Sequence, residues 1–144
     1  MNQYIVLRVV SRLLIPVILI FALYVQFHGE YSPGGGFQAG IMFTAAFVVY
    51  SLLFGLDEVQ RAFPPVAAHV LSAGGALLYI AVGYATMLLG GNFLEYKVLL
   101  PNDQAGETLG IIAIELGVGI TVAAVALSLY YSFAGRFVNR EAGY

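Results

Sequence analysis

The chain has 144 residues, 60% of them hydrophobic and 10% charged, with a net charge of −2 and a mean hydropathy of +0.88. A soluble domain carries about 25% charged residues, so this composition cannot furnish a polar shell and lipid is the expected solvent. Cysteine is absent, the two histidines (His28 and His69) lack ligand-like spacing, and no basic patch exists, which argues against thiolate metals, a prosthetic group or other cofactor, and nucleic acid.

A helix needs about 20 apolar residues to cross about 30 Å of hydrocarbon, and four segments qualify. The first, about Val9 to Phe27, carries Arg12 near its start and Pro16 one turn further on. It exceeds a signal-peptide core of about 7–15 residues, and His28-Gly29-Glu30 offers no small-residue cleavage site, so the span is read as retained. Phe37 to Leu56 and about Val66 to Leu89 contain no charged residue, and Leu109 to Phe133 contains one, Glu115. Unpaired backbone groups are not tolerated in lipid, so the spans are expected to be helices. Continuous apolar runs exclude the alternation of a β-barrel. The fold expected is all-α: one integral membrane domain over residues 1–144 with four transmembrane helices.

Basic residues orient such a chain, because short cytoplasmic loops carry the excess of Lys and Arg. Arg8, Arg12, Arg61, Arg136 and Arg140 fall on one side of a four-span layout and Lys97 on the other. Both termini and Asp57–Pro65 are therefore expected in the cytoplasm, with His28–Gly36 and Gly90–Thr108 outside. In the latter loop Pro101-Asn102 reads as a turn, and Asn102 or Asp103 as the cap of the fourth helix.

Close packing replaces the hydrophobic effect between helices in lipid, so small residues four apart mark contact faces. Gly36-Gly40-Thr44, Ala68-Ser72-Ala76 and Ala113-Gly117-Thr121 form three such ridges. They serve either to join the helices of this chain or to dock it into a larger assembly.

Glu115 is the most informative single residue. A carboxyl group in a span costs about 2.5–3.5 kcal/mol on insertion scales and faces protein or water. It reads either as a proton or cation relay or as a structural carboxyl bonded to a neighbouring helix. His28, where the first helix leaves the membrane, is either a second relay group, given its titration near neutral pH, or an interfacial hydrogen-bonder. Pro33-Gly34-Gly35-Gly36-Phe37 reads as a tight turn in which the glycines allow close backbone approach. Backbone amides at the following helix N-terminus offer a place for an anion or carboxylate, yet no Gly-Lys-Ser/Thr follows to make a phosphate loop. Glu95, Lys97, Asp103 and Glu107 form an outer cluster read as solvated or paired at a subunit edge.

The stretch His28-Gly29-Glu30-Tyr31-Ser32-Pro33-Gly34-Gly35-Gly36-Phe37-Gln38-Ala39-Gly40 closely resembles the signature of the MnhB/MrpB family, which are small subunits of the multisubunit Mrp-type Na⁺ (or K⁺)/H⁺ antiporters. The family form has His-Asn-x-Pro-Gly-Gly-Gly-Phe-x-x-Gly after a first apolar helix, and here Gly-Glu-Tyr-Ser separates His28 from Pro33. Length, four-helix layout and the Pro101-Asn102-Asp103 loop extend the likeness over the whole chain. The resemblance implies a small subunit in a prokaryotic cell membrane, without catalytic chemistry of its own, that helps assemble the complex and contributes to the ion path. Its implied partners are membrane lipid, the transported Na⁺ or K⁺ and H⁺, and other antiporter subunits, including large ones similar to those of respiratory complex I. Related MnhB-like subunits serve redox-driven, membrane-bound hydrogenase-like pumps. From the residues alone, a small homo-oligomeric proton-coupled transporter with paired Glu115 copies is a further alternative.

Overall fold

The computed structural model describes residues 2–29 and 34–141, with side chains over 5–29 and 34–136. Five α-helices follow in order: α1 (Asn2–Phe27), α2 (Gly36–Phe54), α3 (Leu56–Ala62), α4 (Pro65–Leu88) and α5 (Asp103–Glu141), with a 3₁₀ turn at Tyr96–Leu99 before the last. Four of them (all but α3) are long and apolar enough to cross a membrane, and the described residues contain no strand. The protein is an all-α, multi-pass membrane protein.

Local chemistry sets the helix ends. Gly55 joins α2 to α3 at φ +97°, a left-handed conformation that glycine adopts without a side-chain penalty. Pro65 opens α4 at the position where its missing N–H is not needed. Asn102 Oδ1 accepts the Gln104 N–H at 3.1 Å, filling the capping role at the start of α5. Asp103 adds a negative charge at the positive end of the helix dipole.

Two elements differ from the hydropathy reading. The 39 residues of α5 span about 58 Å at 1.5 Å per residue, well beyond the hydrocarbon. Its polar ends are helix-compatible, but an apolarity window records only the middle. The connection expected at Asp57–Pro65 contains α3, a short amphipathic helix. Val59 of α3 is 0% exposed and packs with Leu127 and Tyr131 of α5.

The long helices stand in a row, α1–α2–α5–α4, in which α1 leans on α2 and only lightly on α5. Backbones meet at glycine. A β-carbon at Gly40 would lie 2.8 Å from the Gly119 carbonyl oxygen, and one at Gly75 would lie 2.7 Å from the Gly117 oxygen. The Thr44 hydroxyl is shared between the carbonyls of Gly40 and Ala123, each at 3.1 Å. Gly36-Gly40-Thr44 is thus a buried ridge against α5. On α4 the ridge is displaced from the expected Ala68-Ser72-Ala76: the buried residues are Ala68, Gly75, Gly83 and Thr86, and Ala76 is exposed. Four-residue steps drift around a helix, and a long contact between neighbours follows steps of about seven.

Beyond α4 the chain turns back at Gly90 and over Leu94, the one described non-glycine residue at positive φ. Thr86, 0% exposed, anchors this turn. Its hydroxyl donates toward the carbonyls of Gly83 (2.8 Å) and Asn92 (2.9 Å) and accepts the Leu94 N–H at 3.0 Å. Tyr96 lies over Gly110 of α5, and burial, with Tyr79 second, pushes its phenol above the ordinary value. In the outer cluster Lys97 pairs with Glu107 at 3.6 Å, and Glu95 accepts both N–H groups of Asn92.

Candidate functional site at the glycine turn

Where α1 ends and α2 begins, the glycine motif meets α5. A β-carbon at Gly29 would stand 2.6 Å from Glu115 Cδ, and one at Gly35 would stand 3.1 Å from Glu115 Oε1. At Gly36 it would strike the Glu115 backbone oxygen and come within 2.9 Å of the Gly119 amide. Glycine at these positions creates the space in which the carboxyl group lies. Glu115 is half-buried and makes a further polar or electrostatic contact.

The carboxyl group sits beside the N-terminal turn of α2, where backbone amides lack helical partners and the helix dipole is positive. Gln38 turns back so that its Oε1 accepts the Gly35 N–H at 3.2 Å, which holds the start of α2 in place. Neither α2 nor α4 contains a carboxylate, and in α5 the stretch between Glu107 and Arg136 holds only Glu115. Glu115 is therefore the one carboxyl group in these apolar stretches.

His28, next to the cradle residue Gly29, is exposed, and its ring stacks on Tyr24 with centroids 4.1 Å apart. It also makes a contact with another group. Gly34 is half-buried, Gly40 lies one turn deeper against α5, and Phe37 is 59% exposed. Phe37 is therefore largely open, unlike the buried Gly36 beside it. Pro33 lies outside the described residues.

A polar residue beside this site escaped the sequence reading. Gln26, 8% exposed on α1, aims its Oε1 at Gly119, whose own β-carbon position is 3.3 Å from the Gly36 oxygen. Its signal was a lone amide inside an apolar run, which carries no charge and barely lowers the mean hydropathy of the window. Gln26 and Gly119 also line the upper part of an apolar groove of ≈ 300 Å³ that continues along Ala22, Gly40, Phe43 and Ile120. No group of three or more metal-ligating side chains occurs among the described residues.

Residues 6–128 match the model of a family described as a domain related to the MnhB subunit of Na⁺/H⁺ antiporters. A Staphylococcus epidermidis protein named antiporter subunit mnhB2 is 31% identical over 134 residues, covering 91% of this chain and 94% of its own length. A Staphylococcus aureus protein of the same name is 33% identical with the same coverage. Matched over most of its length by both, with the glycine turn and its carboxylate inside the matched region, the chain belongs to the MnhB family.

Proposed function

We propose that this chain is a small membrane subunit of a multisubunit monovalent cation (Na⁺ or K⁺)/proton antiporter, in which Glu115 acts as a relay on the ion path. Family membership supports the subunit reading. The observation that carries the relay is the seat of Glu115: a carboxyl group in a membrane-spanning helix, lying in the space left by glycines beside a helix N-terminus. In that seat the positive helix end stabilises the carboxylate, and surrounding lipid and protein disfavour charge. Opposing influences of this kind let a carboxyl group take up and release a proton as a neighbouring charge arrives. Gln26 and His28 flank the seat as hydrogen-bonding groups along the route to the surface.

With so little charge in its spans, the chain cannot by itself form a continuous ion route. Neighbouring subunits, large antiporter-like ones among them, supply the rest, and this chain contributes transport groups instead of catalytic chemistry.

The test is the Glu115→Gln variant, expressed with its complete complex in cells lacking other antiporters. Everted vesicles would be assayed for cation-driven collapse of a proton gradient, and assembly scored on native gels. We expect assembly to persist and exchange to fall at least about a hundredfold, the lower end of what one positioned proton-transfer group contributes. Wild-type exchange by an assembled Glu115→Gln complex would remove the relay and leave the subunit reading standing. Cation exchange by the purified chain alone would overturn the subunit reading.

A further inference from the structure

At the opposite end of the bundle from the glycine turn, Arg8 and Arg12 lie one helical turn apart on α1. Both guanidinium groups approach the ring of Phe54 at the end of α2, with Cζ 5.9 Å and 5.2 Å from its centroid. Such cation–π contacts fix the orientation of an otherwise mobile side chain. Neither arginine forms an ion pair among the described residues. Arg61 is engaged by Glu58 at 2.9 Å, and Lys97 is paired with Glu107 at the far end. Two oriented cations, without an ion-pair partner among the described residues, thus stand together at the edge of the apolar span.

A groove of ≈ 270 Å³ lies on the same strip of surface, lined by Ile15, Leu19, Ala46, Phe47, Tyr50 and Ala62. Ile15 and Leu19 follow Arg12 by three and seven residues, and Tyr50 and Phe47 precede Phe54 by four and seven. Helical spacing puts each set on the face of its own arginine or phenylalanine. The groove therefore leads from the cation pair toward the membrane interior, over about 10 Å at 1.5 Å per residue.

We propose that this strip binds an anionic phospholipid, with the headgroup phosphate on Arg8 and Arg12 and an acyl chain in the groove. Guanidinium groups match phosphate oxygens in planar, bidentate geometry. Arginines at a helix end reach back to the interface, the depth at which phosphates lie. A free phosphate would use the cations and leave the apolar groove unfilled. A lipid satisfies both halves.

The test uses the full chain purified in a neutral detergent, with native mass spectrometry reading retention of phosphatidylglycerol against phosphatidylcholine. Preferential retention of phosphatidylglycerol is expected. The Arg8→Gln/Arg12→Gln double variant should lose it about thirtyfold, the sum of two cation–headgroup attractions. Arg61→Gln should retain it. Those arginines also help orient the chain, so a second variant, Ala62→Phe, keeps both and fills the exposed mouth of the groove; it should also lose the lipid. Glycerol phosphate without acyl chains should not compete. Equal retention of the two lipids, undiminished retention in either variant, or full competition by the free headgroup would each overturn the proposal.

Discussion

Single polar atoms decide local structure here because the surroundings offer no water to replace them. Thr86 shows the effect most clearly: one buried hydroxyl holds the turn that contains Leu94 in a left-handed conformation. Thr86→Val keeps the shape and removes both the acceptor of the Leu94 N–H and the donor to Asn92. An unsatisfied buried group costs about 1–3 kcal/mol, and residue 94 then has less to hold it at positive φ. Faster amide exchange at Leu94 and its neighbours, with the spans still protected, is the expected outcome; unchanged exchange would show that the turn stands without the hydroxyl. Glu115 was legible at this scale because a charge in an apolar run is conspicuous, and the glycine motif because three glycines in succession are rare. That the carboxyl group and the glycines share one seat was not legible, since residues 29 and 115 are joined only by tertiary packing. Gln26 and Thr86 were invisible for a related reason: a neutral polar side chain betrays its burial only when its neighbours are known.

Among the helices, glycine positions separate backbone contact from incidental composition. Gly74 and Gly75 are adjacent on α4, yet a β-carbon at Gly74 meets nothing within 4 Å, whereas one at Gly75 is 2.7 Å from the Gly117 oxygen and 2.9 Å from the Thr121 amide. The Thr121 hydroxyl also faces Gly75, but the Gly117 oxygen and the Thr121 amide are backbone and cannot swing aside. Gly75→Ala is therefore expected to destabilise the α4–α5 contact by about 1–3 kcal/mol, the usual range for overpacking. Gly74→Ala should be neutral or stabilising by up to about 1 kcal/mol through helix propensity. Thermal melting of the two variants in detergent measures the difference, and equal melting temperatures would refute the contact. The sequence marked α4 as a small-residue helix but misplaced its contact face by fixing on four-residue steps. It passed over α3 because seven residues with one buried valine are too short for a periodic signal, and it shortened α5 because hydropathy fades where the helix leaves lipid.

The row α1–α2–α5–α4 leaves α1 with one substantial neighbour, and much of its apolar surface is open from Ile5 to Phe27. An open row of this kind buries little within itself, as expected of one subunit of a larger complex. Its orientation decides which aqueous phase reaches Glu115. The cationic residues Arg8, Arg12 and Arg61 belong to one end of the row and Lys97 to the other, the end that carries the glycine turn. On the positive-inside tendency, we propose that α3 lies in the cytoplasm and the turn after α4 outside. The chain contains no cysteine, so single cysteines report position without background. Asp57 on α3 and Gln104 at the start of α5 are both exposed. In intact cells a membrane-impermeant maleimide should label Gln104→Cys and spare Asp57→Cys, which reacts only after permeabilisation. The reverse pattern would place the glycine turn and Glu115 toward the cytoplasm. Under the proposed relay, protons reaching Glu115 would then come from inside the cell, and Glu115 would lie on an exit path.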